Sequence, residues 1–199
     1  MNQVQSNKQA VVVLIRGLPG SGKSTIVSQY VDQSDRDLVV LDPDATQYDS
    51  NEYRAFCKQQ TIDGVDSKLH PYRFLRAQAY TGIENGQTVL WNQAFTNLDI
   101  FHKMVDRFKE HAALHDVALQ ILVAEVAIDP KIAEQRIKAR VADGGHDVNS
   151  EKLQQFINEY RSFEGEGYRV VSLDGENDVT NSANKLSDAI EALVSDQRS

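Results

Sequence analysis

Short apolar runs alternate along the chain with segments whose apolar residues recur every three or four positions. The first run, "AVVVLIRG" at residues 10–17, is too short for a helix and rich in β-branched side chains, so it predicts a buried strand. "KSTIVSQYVDQ" behind it has helical spacing. The strand pattern returns in "DLVVLD", "QTVLWNQ", "DVALQILVAEVA" and "YRVVSLDG". Helical spacing fills the intervals: "ATQYDSNEYRAFCKQQ", "HPYRFLRAQAYTGIENG", "NLDIFHKMVDRFKEHAALH", "DPKIAEQRIKARVA" and "SEKLQQFINEYRSFE". A last helix, "DVTNSANKLSDAIEALVSD", closes the chain, and "DGGHDVN" reads as a loop. Pro71 near the start of one helix and Gly86 just past its end are the punctuation that helices favour.

Strands separated by helices imply parallel pairing through helical crossovers. Right-handed crossovers put helices on both faces of the sheet. The expectation is an α/β fold in three layers around a five-stranded, mainly parallel sheet. No repeat, linker or low-complexity stretch divides the chain, so residues 1–199 are expected to form a single domain. Ligands bind such sheets at the carboxyl ends of the strands. Those ends carry residues 17–25, 42–44 and 92–96, together with Asp129.

Composition narrows the class. A chain of 199 residues with 41% hydrophobic and 25% charged residues can bury a sizeable core as a soluble protein. A net charge of -8 argues against an extended basic surface for nucleic acid, while leaving room for a local basic pocket. The single cysteine, Cys57, excludes an internal disulfide framework and fits a reducing cytoplasm. With no histidine nearby in its segment, it is expected to pack on a helix. The first ten residues are polar and lack an apolar stretch with a cleavage site, so no secretory leader is expected. No run approaches the ~20 apolar residues of a membrane span. A cytoplasmic location is therefore expected.

The chemistry starts where the first strand ends. Gly17, Leu18, Pro19, Gly20, Ser21, Gly22, Lys23 and Ser24 match the phosphate-binding loop G-x-x-x-x-G-K-[ST]. Glycines let the backbone curl so that its N–H groups face an anion, and the following helix adds its positive end. Lys23 would reach the β- and γ-phosphates, and the Ser24 hydroxyl would bind Mg²⁺. Thr25 would lie near the α-phosphate. The motif leaves open whether the γ-phosphoryl group passes to water or to another molecule.

Other features sort the P-loop classes. No "NKxD"-like guanine reader follows a strand. A motor ATPase usually has an apolar strand ending in acids, whereas "TVLWN" ends in Asn92. A P-loop, an acid after the second strand and an arginine-bearing lid follow one another here in the order seen in small P-loop kinases. On "GLPGSGKST", "VVLDPDATQY", "GQTVLWNQAFTN" and "EQRIKARVADGGHDV", the sequence resembles the zeta-toxin-like and polynucleotide-kinase-like small P-loop kinases over roughly residues 11–173.

That resemblance implies a parallel sheet, ATP with Mg²⁺, and phosphorylation of a hydroxyl on a nucleotide sugar, a polynucleotide end or a small metabolite. It casts Asp44 as the general base and Asp42 as support for magnesium or the loop. Capping of the following helix is the alternative for either acid. Two departures stand out: the family commonly has Asp at the position of Asn92, and its polynucleotide kinases tend to have Arg at the position of Gln47. Together with the acidic net charge, Gln47 disfavours a nucleic-acid acceptor.

Arg136 and Arg140 are four apart and share a helix face. With the glycine-containing loop beyond them they would form a lid over residues 136–150, holding phosphate oxygens and spreading transition-state charge. The alternative is a solvated face paired with Glu134 or Asp143. His146 could contact phosphate, cap the lid or face water. Arg73 and Arg76 could meet a phosphorylated acceptor or face solvent. Trp91 reads as core, and Glu125 as a strand-end charge or salt-bridge partner. The competing classes are a kinase, a binding or regulatory NTPase without an acceptor (which Asn92 supports), a toxin-like nucleotide-sugar kinase, and a polynucleotide 5′-hydroxyl kinase.

Overall fold

The computed structural model describes residues 8–142 and 149–195. The strands β1 (Gln9–Gly17), β2 (Leu38–Leu41), β3 (Thr88–Asn92), β4 (Ala118–Ala127) and β5 (Arg169–Asp174) form one sheet. Its order is β2-β3-β1-β4-β5, and every pairing is parallel. The helices are α1 (Lys23–Gln33), α2 (Asn51–Ile62), α3 (His70–Asn85), α4 (Leu98–Leu114), α5 (Pro130–Ala142), α6 (Ser150–Glu159) and α7 (Val179–Ser195). The expected α/β architecture is what the chain builds. The sheet is wholly parallel among the described residues, because every connection between strands carries at least one helix.

β1 lies at the centre and is buried on both faces, which explains its unbroken apolar run. Ala10, Val12 and Leu14 face a core shared with Leu75 and Ala79 of α3 and Phe101, Val105 and Phe108 of α4. Val11, Val13 and Ile15 face the opposite core, with Ile26 and Tyr30 of α1 and Leu186 and Ile190 of α7. The helices therefore flank the sheet on both sides. With β2 and β3 on one side of β1 and β4 and β5 on the other, the topology reverses at the carboxyl end of β1. A crevice for ligands opens at such a switch point.

Two helices differ from their sequence patterns at one end. α2 starts at Asn51, not at residue 45. The Asp42 carbonyl accepts from the Ala45 N–H at 3.1 Å and the Thr46 hydroxyl at 2.7 Å, winding that stretch into turns. The Ser50 hydroxyl then caps the helix by accepting from Tyr53 N–H at 3.2 Å. α6 ends at Glu159 instead of residue 164, because Tyr160 turns extended and Phe163 is drawn into the core, fully buried. The expected loop at residues 143–149, with His146 and much of the anticipated lid, lies almost wholly outside the described residues. No helix of the described residues is long and apolar enough to cross a membrane.

Candidate active site

The glycine-rich turn closes tightly between its neighbours. Gly20 has φ +80°, and a Cβ there would sit 2.6 Å from the Ala133 carbonyl of α5. Gly22 has φ +88° and is the residue before α1, so the chain turns into the helix through a left-handed conformation that glycine adopts freely. The first turn of α1 thus opens towards residues 17–22. Lys23 folds back over that turn. Its Nζ donates to the carbonyls of Gly17 at 3.0 Å and Leu18 at 2.9 Å. Burial pushes its ammonium down from 10.5 to about 8. Asp42 and Asp44 act to raise it, and Arg140 adds to the depression.

Ser24, Asp42 and Asn92 meet where α1 begins and β2 and β3 end. Asn92 Nδ2 donates to Ser24 Oγ at 2.9 Å and to Asp42 Oδ2 at 2.6 Å. Ser24 Oγ donates to Asp42 Oδ2 at 3.3 Å. Asp42 Oδ1 accepts from Asp44 N–H at 2.9 Å, which fixes the acidic turn. Asn92 is buried, and its Oδ1 finds no partner among the described residues. A hydroxyl, a carboxylate and an amide oxygen lacking a partner form the hard oxygen set that suits Mg²⁺. The residues present fit that ion, and the neutral Asn92 helps place the donors without adding charge. Asp44 is exposed, and among the described residues its carboxylate accepts no hydrogen bond.

These groups line a cleft of about 1500 Å³ at the carboxyl edge of the sheet. Leu18 is buried under the turn, whereas Pro19 is half-buried and Ser24 and Thr25 are exposed at the cleft. Arg136 and Arg140 both reach the cleft from α5. Arg136 is tied down: its guanidinium donates to the carbonyls of Gly175 and Glu176, the latter at 2.9 Å. It thereby holds the β5–α7 loop against the P-loop. Asp174 at the mouth of that loop is held below the usual carboxylate range, chiefly by the Glu176 N–H and then by the Asn177 side chain. Asp129 is not part of the cleft. Its Oδ1 accepts from Lys131 N–H at 2.7 Å, capping α5.

Behind the site lies a buried pair with no counterpart among the expected site residues. Arg16 and Glu125 are partners in the β1–β4 register and form an ion pair. Arg16 is fully buried, and its guanidinium lies 3.6 Å from the Phe163 ring centroid and 4.4 Å from that of Tyr160. It also donates to the carbonyls of Arg161 at 2.7 Å and Phe95 at 3.3 Å. Glu125 accepts from Phe163 N–H and from Ser162 Oγ, each at 2.6 Å. Phe95 has φ +46°, a strained conformation for a non-glycine residue, and the bond from Arg16 helps hold it. The pair therefore pins the chain entering the P-loop to the loop after β3 and to the segment after α6. The available signal was two apolar strands that each carry a charge near the carboxyl end.

The fold defined by this sheet, turn and cleft is that of the P-loop NTPases. The sequence family described as "AAA domain" matches residues 12–163, and the chain belongs to it. The structure is similar to a gluconokinase from Sinorhizobium meliloti 1021 (16% identity, 96% of each chain covered, TM-score 0.57). It is also similar to a sugar kinase from Janibacter sp. HTCC2649 (17% identity, 92% of this chain and 95% of that one, TM-score 0.57). A deoxyadenosine kinase from M. mycoides with bound dATP follows (17% identity, 90% and 98% covered, TM-score 0.53). At such identities the likeness is one of fold. No curated protein sequence matches the chain.

Proposed function

We propose that the chain is an ATP-dependent kinase that transfers the γ-phosphoryl group to a hydroxyl of a small-molecule or nucleotide-type acceptor. The observation that carries this reading is the cleft. Its volume of about 1500 Å³ exceeds the roughly 300–1,000 Å³ of a one-ligand pocket, and it gathers Lys23, Ser24 and Asp42 beside the accessible carboxylate of Asp44. A passive nucleotide binder needs the first three groups. It has no use for the remaining cleft volume beside a proton acceptor. A gluconokinase and a sugar kinase are among the similar structures, in keeping with this reading.

In the reaction, the N–H groups of residues 20–25 cradle the phosphates. Lys23 swings from its carbonyl partners to the β- and γ-phosphate oxygens. Ser24, Asp42 and Asn92 would hold magnesium. Bound there, magnesium would supply charge neutralisation to the phosphates. Asp44 orients the acceptor hydroxyl and takes its proton as the oxygen attacks the γ-phosphorus. The bond from that phosphorus to the bridging oxygen breaks, and ADP leaves. Arg140, and Arg136 once released from the β5–α7 loop, stabilise the charge spread over the transferring group, as parts of a lid over residues 136–150 of a single domain.

A binding or regulatory NTPase is the second reading, favoured by the uncharged Asn92. Among kinases, a toxin-like nucleotide-sugar kinase fits the same site. A polynucleotide 5′-hydroxyl kinase is disfavoured by Gln47, which is exposed on the acidic turn. The deciding experiment offers γ-labelled ATP with a panel of hydroxyl acceptors. Label should move to at least one compound. Slow ATP hydrolysis that no hydroxyl compound alters would leave the binder.

A further inference from the structure

The wall of the cleft built by α3 and α4 carries four cations that the phosphoryl-transfer groups do not account for. Arg73 and Arg76 stand three apart on α3, and Lys103 and Arg107 four apart on α4. Each spacing puts both side chains of a pair on one helix face. The two helices pack against each other, so the faces adjoin. Among the described residues, none of the four forms an ion pair. Yet this chain has a net charge of -8, and α4 itself carries Asp99, Asp106 and Glu110. Arg73 and Arg76 are half-buried, so their mutual repulsion is only partly relieved by water. Burial lowers the Arg76 guanidinium, and Arg107 and Arg73 add to that, while Tyr80 opposes it. The groups acting on Lys23 are a different set, Asp42, Asp44 and Arg140. The cleft thus holds two separate electrostatic neighbourhoods.

Apolar side chains accompany this second neighbourhood. Leu69, Tyr72 and Ile100 line the same cleft and are 51%, 53% and 66% exposed, unusual for groups of their size. They offer a wall for a planar or aliphatic body beside the cations.

We infer that the α3–α4 wall is an anion subsite that selects acceptors carrying a phosphomonoester on an apolar or planar body, in addition to the hydroxyl to be phosphorylated. This rests on the kinase reading and names its substrate class. Charge count favours phosphate over carboxylate. A phosphomonoester brings roughly -1.5 to -2 at neutral pH and three acceptor oxygens, against a single charge and two oxygens for a carboxylate. Three guanidinium forks match that oxygen set. The acidic net charge favours a small molecule over a nucleic-acid end.

Calorimetry with phenyl phosphate tests it, since that probe pairs a dianion with a planar body. The protein is saturated first with Mg²⁺ and a non-hydrolysable ATP analogue, and the titration is repeated without nucleotide. Phenyl phosphate should bind saturably at one site, benzoate about tenfold or more weakly, and phenol not at all. Arg76→Gln and Arg107→Gln should each weaken phenyl phosphate by roughly tenfold or more, the usual worth of a charge-assisted bond, with analogue binding unchanged. Circular dichroism confirms that the variants fold, and Arg73→Gln serves as a third probe. No binding of phenyl phosphate, equal binding of benzoate, or binding that these variants leave intact would overturn the subsite. Tighter binding of a 5′-phosphorylated oligonucleotide than of phenyl phosphate would overturn the small-molecule assignment. If the analogue fails to bind while phenyl phosphate still does, it is the kinase reading that falls.

Discussion

In the P-loop wall, polar groups are engaged at short range. Lys23 rests on two backbone carbonyls, Ser24, Asp42 and Asn92 bond to one another, and Arg136 clasps the β5–α7 loop. In the α3–α4 wall, Arg73, Arg76, Lys103 and Arg107 face the same cleft without an ion-pair partner among the described residues. The first wall is organised before any ligand arrives. In the kinase reading that order keeps Ser24, Asp42 and Asn92 in place, while Lys23 and Arg136 exchange carbonyl partners for phosphate oxygens. The second wall is an unbalanced charge awaiting an anion. Its value is selective binding, and its cost is repulsion between like charges. The contrast teaches that one cleft can divide chemistry from recognition between two pieces of sheet-edge scaffold.

The sharpest way to break that division is Asp44→Asn, which keeps shape but removes the proton acceptor. Phosphoryl transfer should fall by roughly 10²–10⁴-fold while ATP affinity holds, read by steady-state kinetics and calorimetry. If transfer survives and Asp42→Asn abolishes it, the roles within the acidic turn are reversed.

The order of the first wall depends on the pair behind it. Glu125→Ala leaves Arg16 buried without its counter-charge, and should cost about 3–5 kcal/mol of folding stability by urea denaturation. A loss of under about 1 kcal/mol would mean that water reaches Arg16 and that the P-loop is anchored otherwise.

Arg140→Ala separates the walls kinetically. It should lower kcat by about 10²-fold and leave the acceptor KM within a few-fold, given what arginine contributes to phosphoryl transfer. A variant of the α3–α4 wall should show the reverse pattern. Near-normal turnover on removing both Arg136 and Arg140 would reduce the α5 face to a solvated surface.

The smallest effect is one of pH. Lys23 stands at about 8 in the free protein, and phosphates would raise it. Below pH 8 the ammonium is charged with or without ligand, so ATP affinity should be flat. Above it, binding must take up a proton, and affinity should drop by up to about tenfold per pH unit. The stability of the free protein should move the other way. A lysine depressed by folding opposes folding while charged, and that penalty is relieved as pH rises from about 8 towards 10.5. Lys23→Met should abolish both trends; their persistence would assign them to another group.

How much of this was legible in the residues follows from the range of each interaction. The strands and helices were, because apolar spacing reports burial directly, and the wholly buried β1 reads as a continuous apolar run. So was the P-loop, whose eight consecutive residues carry their own turn geometry. Asp42 and Asp44 were visible as candidates at a strand end. Their division of labour came from the family resemblance alone; the residues themselves did not show that Asn92 of β3, fifty residues away from Asp42, bonds both Asp42 and Ser24. Asp129, read at a strand's carboxyl end and at the opening of a helix before Pro130, caps that helix through the Lys131 N–H. Arg136 read as a mobile lid group and is held by two carbonyls of a loop about forty residues away.

The amino-acid order by itself therefore determined the α/β architecture, the phosphate loop and the edge of the sheet where chemistry gathers, because each is encoded by neighbours along the chain. Tertiary structure alone decided which charges are partnered. Strand register brought Arg16 to Glu125, and the packing of α3 on α4 brought Arg73 and Arg76 beside Arg107. A charge in sequence has no environment, and its pairing, burial and repulsion exist only once distant segments share a few ångströms of low-dielectric space.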